Sequence, residues 1–367
     1  MKFCCDKDIL LNALNTVYRA CSSKTAKPIL ECILIKSNAN FITLTGNNLE
    51  LGIETTIEVD VIEAGEIALE AKLFLEIVRK LSNGDVEVTL IPSNIVTIIS
   101  GKSKFSVSTQ NPKDFPTLPE VISDKSFSIS KHDLKEMIRQ TIFSVAQDDS
   151  RPIFTGEMFE IQNGSFNLVS VDGFRISYRN LSIENKDLKM EQVVPGKTLQ
   201  EIAKILNDDS EKVKIYFGEN HVLFDLDTSK VISRLLEGEF LKYNQVFSND
   251  FDTQILINRI DFLMSIERAA LISREGKKTP VCLDITDENI IITSNTEIGT
   301  SREELEIELT GNPLKIAFNP KFLIDALKII EDEKININFL SKIAPAIIQP
   351  LDNNSYKYLV LPIRINE

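Results

Sequence analysis

The 367-residue sequence predicts an α+β protein built from three duplicated domains, each with two helices packed on antiparallel sheets. Three observations lead there. A thirteen-residue pattern occurs as Leu69–Leu81 (LEAKLFLEIVRKL), Val194–Leu206 (VPGKTLQEIAKIL) and Phe318–Ile330 (FNPKFLIDALKII), and its lysines, Lys72, Lys197 and Lys321, stand 125 and 124 residues apart. That period is far too long for a solenoid unit and matches a domain. The chain is also too long for one ordinary core. Between the patterned stretches, short runs alternate or stay apolar as strands do.

In every copy the eighth place is acidic (Glu76, Glu201, Asp325) and the eleventh basic (Arg79, Lys204, Lys328). The sixth, ninth, tenth and thirteenth places are apolar. At about 100° per residue the apolar places centre on one helix face and the two bases fall almost opposite. The acid stands three before the second base and is placed to pair with it. One such helix is an ordinary solvated surface helix. Three with the same stripe point to a shared task for the basic face.

Domain one, residues 1–120, opens with a strand over Met1–Cys5 and a helix over Asp6–Ala20, whose Ile9, Leu10, Ala13, Leu14 and Val17 share a face. A basic loop, Ser22–Pro28, precedes strands over Ile29–Ser37, Phe41–Thr45, Glu50–Val61 and Gly65–Leu69. The second helix, over 72–81, leads to strands over Val86–Leu90, Val96–Ser100 and Lys104–Ser108, and the prolines of Asn111–Pro119 end the domain. Domain two, 121–248, repeats the order. Ser130 and Asp133 resemble an N-cap and its box opening a helix to Ala146. Arg151 lies in the following loop. Strands over Phe159–Ile161 and Ser165–Val171 lead to a tight turn at Asp172-Gly173. A helix over 197–206 and strands over Lys212–Phe217 and His221–Asp227 follow. Domain three, 249–367, has Asn258 and Asp261 in cap positions, a helix over 259–274, a basic loop over Arg274–Pro280, a helix over 321–330 and a final apolar strand, Tyr358–Ile365.

The net charge of −13 argues against a nucleic-acid partner, but its distribution reverses the argument. The six expected helices hold 15 of the 41 basic and 9 of the 54 acidic residues, net +6, which leaves −19 for the rest. No apolar run approaches the roughly 18 residues of a membrane span. The start, MKFCCDKDILL, lacks the apolar core of a signal peptide, so no membrane association and a cytoplasmic location are expected. The five cysteines (Cys4, Cys5, Cys21, Cys32, Cys282) form no CxxC pair and read as idle thiols of a reducing compartment.

Catalytic chemistry is not legible. Gly196-Lys197-Thr198 and Gly101-Lys102-Ser103 imitate the end of a phosphate-binding loop, but Glu191 and Val96 stand where its first glycine belongs. No HExxH, GxSxG, GxGxxG or EF-hand loop is present, and acidic neighbours such as Asp148-Asp149 and Asp208-Asp209 fall in expected solvated loops. No catalytic residue, metal site or cofactor is expected.

Three equivalent basic faces suit a ligand that is repetitive and anionic, such as a nucleic-acid duplex. A domain of about 122 residues has a diameter of roughly 35 Å. Three such spheres in a ring enclose a hole of only about 5 Å; six enclose roughly 35 Å, ample for a duplex near 20 Å across. Six domains require two chains, joined head to tail and closed by two-fold symmetry.

Over its full length the sequence resembles the bacterial sliding-clamp family, the β subunit of DNA polymerase III. The matching stretches are MKF at the start, Pro28-Ile29-Leu30, LTGNNLELGI at 44–53, FSVST followed by DFP at 105–116, VDGFRIS at 171–177 and YLVLPIR at 358–364. The resemblance implies DNA-clamp domains in a ring-shaped homodimer of six. Such a ring slides on double-stranded DNA without sequence preference, tethers polymerase and is not itself an enzyme. Its partners would be the DNA polymerase III catalytic subunit, the clamp loader and other proteins with a clamp motif, a glutamine followed by hydrophobic residues. By position, their pocket would use Phe154, Val171, Gly173, Phe174, Arg175, Ile176, Leu241, Val246, Leu359, Leu361, Pro362, Ile363 and Arg364. Phe174, Leu241 and Gln245 replace the family's usual histidine, proline and basic residue. The resemblance also implies DNA contacts from Lys24, Arg79, Arg151, Lys197, Lys204, Lys277 and Lys328, and a subunit contact between Phe105 of one chain and Leu271 or Ile272 of the other. A repetitive scaffold that binds no nucleic acid, or an enzyme with an unrecognised site, are the alternatives. Retention on circular but not linear DNA separates them from a clamp.

Overall fold

The computed structural model describes residues 1–23, 25–123, 125–148, 150–206, 211–247, 250–272, 279–351 and 354–364. All six expected helices form: α1 (Lys7–Val17), α2 (Ala71–Lys80), α3 (Lys131–Thr141), α4 (Gly196–Ile205), α5 (Arg259–Ala270) and α6 (Pro320–Ile329). Side-chain caps are seen at the start of α1, α2, α5 and α6, each satisfying otherwise orphaned backbone donors. Asp6 accepts from the N–H groups of Asp8 and Ile9, Glu70 from Leu73, Asn258 from Ile260 and Asp261, and Asn319 from Lys321.

Several ends differ from expectation. Helix α1 stops at Val17 and passes into a 3-10 turn, Tyr18–Ala20. Helix α3 stops at Thr141, five residues short of Ala146, and a 3-10 turn over Ile142–Ser144 follows. The Thr141 carbonyl accepts from the Ser170 hydroxyl at 2.5 Å, and its own hydroxyl turns back to the Met137 carbonyl at 2.7 Å. The strand expected from Ile29 begins at Cys32, because Pro28 opens a 3-10 turn. The run Glu50–Val61 divides into strands Leu51–Glu58 and Asp60–Glu63, which belong to different sheets. The last strand is Tyr356–Val360 and stops before Leu361, since Pro362 has no N–H to continue a ladder; Ile365, the expected end, lies outside the described residues. The end of the helix expected over 259–274 and most of the loop Arg274–Pro280 lie outside the described residues.

The chain divides into two compact units. The first comprises Met1–His132 with Glu201–Leu235. One of its sheets has the order Asp60–Glu63, Lys2–Asp6, Asp85–Ile91, Ile95–Ser100, Ser103–Ser108. The other runs Ser126–Ser130, Lys212–Phe217, His221–Asp225, Ser229–Arg234, Leu51–Glu58, Phe41–Asn47, Cys32–Asn38, Gly65–Glu70. Strands from the first and second repeats thus meet in one ladder, with Val231 opposite Ile53 and the Ser229 and Thr55 hydroxyls 2.9 Å apart. Helix α1 buries Leu10, Ala13, Leu14 and Val17, and α2 buries Phe74, Ile77 and Val78.

The second unit comprises Asp133–Gln200 with Leu236–Glu367. Its larger sheet runs Met190–Pro195, Gly156–Gln162, Ser165–Val171, Arg175–Ser182, Tyr356–Val360, Ala346–Pro350, Lys334–Phe339, Thr253–Asn258, Glu308–Gly311. Again two repeats share a ladder, with Arg175 opposite Val360. The smaller sheet runs Gly299–Glu306, Asn289–Thr296, Val281–Ile285, Leu314–Phe318. Phe262 and Ile266 of α5 and Leu323, Ala326 and Leu327 of α6 share a core with Phe318, Phe339 and Tyr358.

Glu157, on Gly156–Gln162, is fully buried, and neither carboxyl oxygen has a hydrogen-bond partner. Burial pushes its pKa up to about 8. The unfolded chain gives up this proton near pH 4.3 while the native state keeps it. Its stabilising contribution is therefore full below about pH 4 and declines as pH rises to about 8. Glu157→Gln is expected to flatten the stability profile between roughly pH 5 and 8, by a few kcal/mol at most. Urea unfolding at pH 5.5 and 7.5 measures this. Identical slopes in both proteins would show that Glu157 does not titrate abnormally.

Candidate partner-docking pocket and basic helix faces

The turn expected at Asp172-Gly173 forms, and Gly173 adopts φ +90°, which a side chain rarely tolerates. Asp172 fixes the turn by accepting from the N–H groups of Phe174 (2.9 Å) and Arg175 (3.1 Å). Its other carboxyl oxygen accepts from Arg175 Nε at 2.9 Å. Arg175 is only 6% exposed. It also donates to Asp325 of α6 and to the Phe143 carbonyl, each at 2.7 Å. Its guanidinium lies 4.5 Å from the centre of the Phe322 ring and 5.4 Å from that of Phe143. Burial opposes the charge of Arg175, but its surroundings, including the Asp325 and Asp172 carboxylates, more than offset this and hold it protonated. A charge so enclosed ties the Asp172–Arg175 turn to α6.

Large apolar side chains, Phe174 and Leu361, are exposed next to this turn. Phe174 is 55% exposed and stacks on Phe322 with ring centres 6.2 Å apart. The segment after the last strand lies alongside: Leu361 N–H donates to the Phe174 carbonyl at 2.9 Å and Ile363 N–H to the Ala317 carbonyl at 2.7 Å. These bonds hold Leu361 exposed and Pro362 and Ile363 half-buried, with Arg364 at the surface. Phe154, Val171, Ile176 and Leu359 are buried in one cluster with Phe240, Tyr243 and Ile347, and Val246 packs against it. Leu241 is 37% exposed beside Phe240 and lines a cleft of about 560 Å³ with Gln245. All thirteen expected pocket residues belong to one unit, and five of them are buried in the single chain. Sequence reasoning missed Asp325, Phe143, Phe322 and Ile347. Spacing alone pairs Asp325 with Lys328, and no local signal marks the other three.

The basic places behave as the periodicity predicts. Lys72, Lys197 and Lys321, and Arg79, Lys204 and Lys328, are all exposed, and the apolar places are buried except half-buried Ala203. The expected pairing of acid with second base holds only in the second copy, where Glu201 meets Lys204 at 2.7 Å. Arg79 instead donates to the Asn15 side chain at 3.3 Å, and Lys328 pairs with Glu267 at 2.8 Å while Asp325 serves Arg175. Arg151 is exposed, 5.7 Å from the centre of the Phe154 ring. Lys24 and Lys277 lie outside the described residues.

Phe105 lies on the edge strand Ser103–Ser108 and is 39% exposed. Leu271, just beyond α5, is 80% exposed, and Ile272 is half-buried. The Thr296 hydroxyl donates to the Ile272 carbonyl at 3.2 Å, and Ser301 donates to Ala269 at 3.4 Å, which sets both residues beside the edge strand Gly299–Glu306. The cysteines are unsuited to nucleophilic work. Burial pushes Cys5 and Cys21 up to about 12 and Cys32 to about 11.

Models of the N-terminal, central and C-terminal domains of the DNA polymerase III beta subunit match residues 1–119, 128–242 and 244–364. A beta sliding clamp of Staphylococcus epidermidis is 35% identical over 374 residues, covering 99% of both chains. Among solved structures, a DNA polymerase III beta subunit from Eubacterium rectale superposes with TM-score 0.96 at 43% identity, over the whole of both chains. The DNA polymerase sliding clamp of Bacillus subtilis gives TM-score 0.97 at 33% identity, again over the whole of both chains.

Proposed function

The chain belongs to the DNA polymerase III beta subunit family, and we propose that two copies close head to tail into a ring around duplex DNA. It is a sliding clamp, a processivity factor rather than a catalytic subunit. One observation carries the ring. Leu51–Glu58 pairs with the last strand of the second repeat, and Arg175–Ser182, 124 residues on, pairs with the last strand of the third. The remaining equivalents, Gly299–Glu306 and Ser103–Ser108, are the end strands of their sheets. Unpaired edges of this kind are templates for another chain. Leu51 faces Ser233 and Arg175 faces Val360 in the two existing junctions. The two free edges are therefore placed to pair in the same antiparallel way, Gly299–Glu306 of one chain with Ser103–Ser108 of the other. Leu271 and Ile272 would then cover Phe105.

The three domains of each chain, with boundaries at 1–120, 121–248 and 249–367, would present their helices to the hole. Arg79, Arg151, Lys197, Lys204 and Lys328, with Lys24 and Lys277, would meet phosphates. The Phe174–Leu361 pocket would take the clamp-motif peptides of the polymerase catalytic subunit, the clamp loader and other partners. The work would take place in the cytoplasm. Since contacts are to phosphates, direct affinity is expected to be weak, steeply salt-dependent and indifferent to sequence. Changing Arg79, Lys204 and Lys328 together to glutamate should reduce loading and shorten the lifetime of loaded rings on closed circular DNA. The folds should survive, because all three residues are exposed. If the triple variant loads and persists like wild type on circles, these faces do not line the hole.

A further inference from the structure

A cleft of about 560 Å³ lies beside α1 in the first unit, and Arg19 and Lys204 line it with Asn12, Asn15 and Thr16. One carboxylate serves both cations. Glu201 takes Arg19 Nη1 at 2.9 Å and Lys204 Nζ at 2.7 Å. Its side chain is 24% exposed, that of Arg19 is 29% and that of Lys204 is 55%, so all three reach water. Burial raises the Glu201 pKa, but the two cations more than offset it and hold the carboxyl ionised. The trio therefore carries net +1, where two free cations would carry +2. Partly exposed ion pairs are weak, and a polyanion can replace the carboxylate at small cost.

We propose that Glu201 is a built-in counterion that weakens the grip of Arg19 and Lys204 on the DNA backbone, and that Arg19 is a further phosphate-contact residue. This rests on the reading that α4 faces the hole. A clamp must hold its ring near the duplex without fixing it to any phosphate. A carboxylate that competes for both cations keeps each phosphate contact brief. Asn15, which accepts from Arg79, extends the same polar surface towards α2.

The test uses the full-length protein and a short linear duplex, with affinity measured across a salt series. Glu201→Gln keeps the shape of the side chain and removes its charge. It should tighten binding and steepen the plot of log affinity against log salt by about one, the signature of one more phosphate contact. Arg19→Gln should shift the slope by about one in the other direction. Unchanged or weaker binding by Glu201→Gln, while the Arg79/Lys204/Lys328 glutamate triple still loses loading, would overturn the counterion role and leave the DNA-facing helices standing. If the triple also behaves as wild type, the DNA-facing reading itself fails. If Arg19→Gln leaves the slope unchanged, Arg19 does not contact phosphate.

Discussion

Leu271→Asp is expected to convert a dimer into folded monomers that no longer persist on circular DNA. Leu271 is 80% exposed in the single chain, so an aspartate there is solvated and leaves the fold intact. In the proposed ring it would be buried against Phe105 of the other chain, where an unpaired carboxylate costs several kcal/mol. A closed ring has two such contacts, and both carry the penalty. At about 1.4 kcal/mol per tenfold change in dissociation constant, the ring should come apart at micromolar concentration. Ile272→Asp should act in the same direction. Sedimentation equilibrium gives the mass, and the far-ultraviolet spectrum reports the fold. Wild type that is already monomeric at micromolar concentration would refute the ring.

The combined change Arg175→Ala with Leu361→Ala is expected to abolish binding of a clamp-motif peptide and leave dimerisation intact. Leu361 contributes exposed apolar surface, so its truncation removes area the peptide would cover. Arg175 acts from below. Without it Asp325 and Asp172 lose their buried partner, and breaking such a pair typically costs about 3–5 kcal/mol. The turn that presents Phe174 loses its tie to α6. A drop in stability alongside the lost affinity is therefore expected for Arg175→Ala and not for Leu361→Ala alone. Fluorescence polarisation with a labelled peptide, a glutamine followed by hydrophobic residues, reads the affinity. Equal affinity in wild type and the double variant would remove the pocket from this surface.

Much of this architecture could be read locally. The stripe of Arg79, Lys204 and Lys328 opposite buried Phe74, Leu199 and Leu323 follows from helical periodicity alone, and the structure keeps it in all three copies. The turn at Asp172-Gly173 was equally legible, because a positive φ asks for glycine and an Asx side chain closes the turn. Element ends were less so. Nothing near Thr141 in sequence shows that Ser170 will claim its carbonyl and end α3 early.

The sequence by itself determined which residues form helices, which face of each is apolar and which is charged, and that the pattern comes three times. Periodicity and capping act within a few residues, so they are written locally. Only the tertiary structure decided where the charges go. Asp325 stands three residues before Lys328, yet it bonds Arg175, which is 150 positions away in sequence. A buried guanidinium with two stacked rings outcompetes a solvated lysine for that carboxylate. Glu201, at the same place one repeat earlier, keeps its lysine and gains Arg19, because the 3-10 turn Tyr18–Ala20 rather than a buried arginine lies beside it. The repeats were visible, but their joining was not. Hydrogen bonding between Leu51–Glu58 and Ser229–Arg234, and between Arg175–Ser182 and Tyr356–Val360, makes two shared ladders out of strands more than 170 residues apart. Backbone pairing carries no side-chain signature of its partner, so only the fold could choose it.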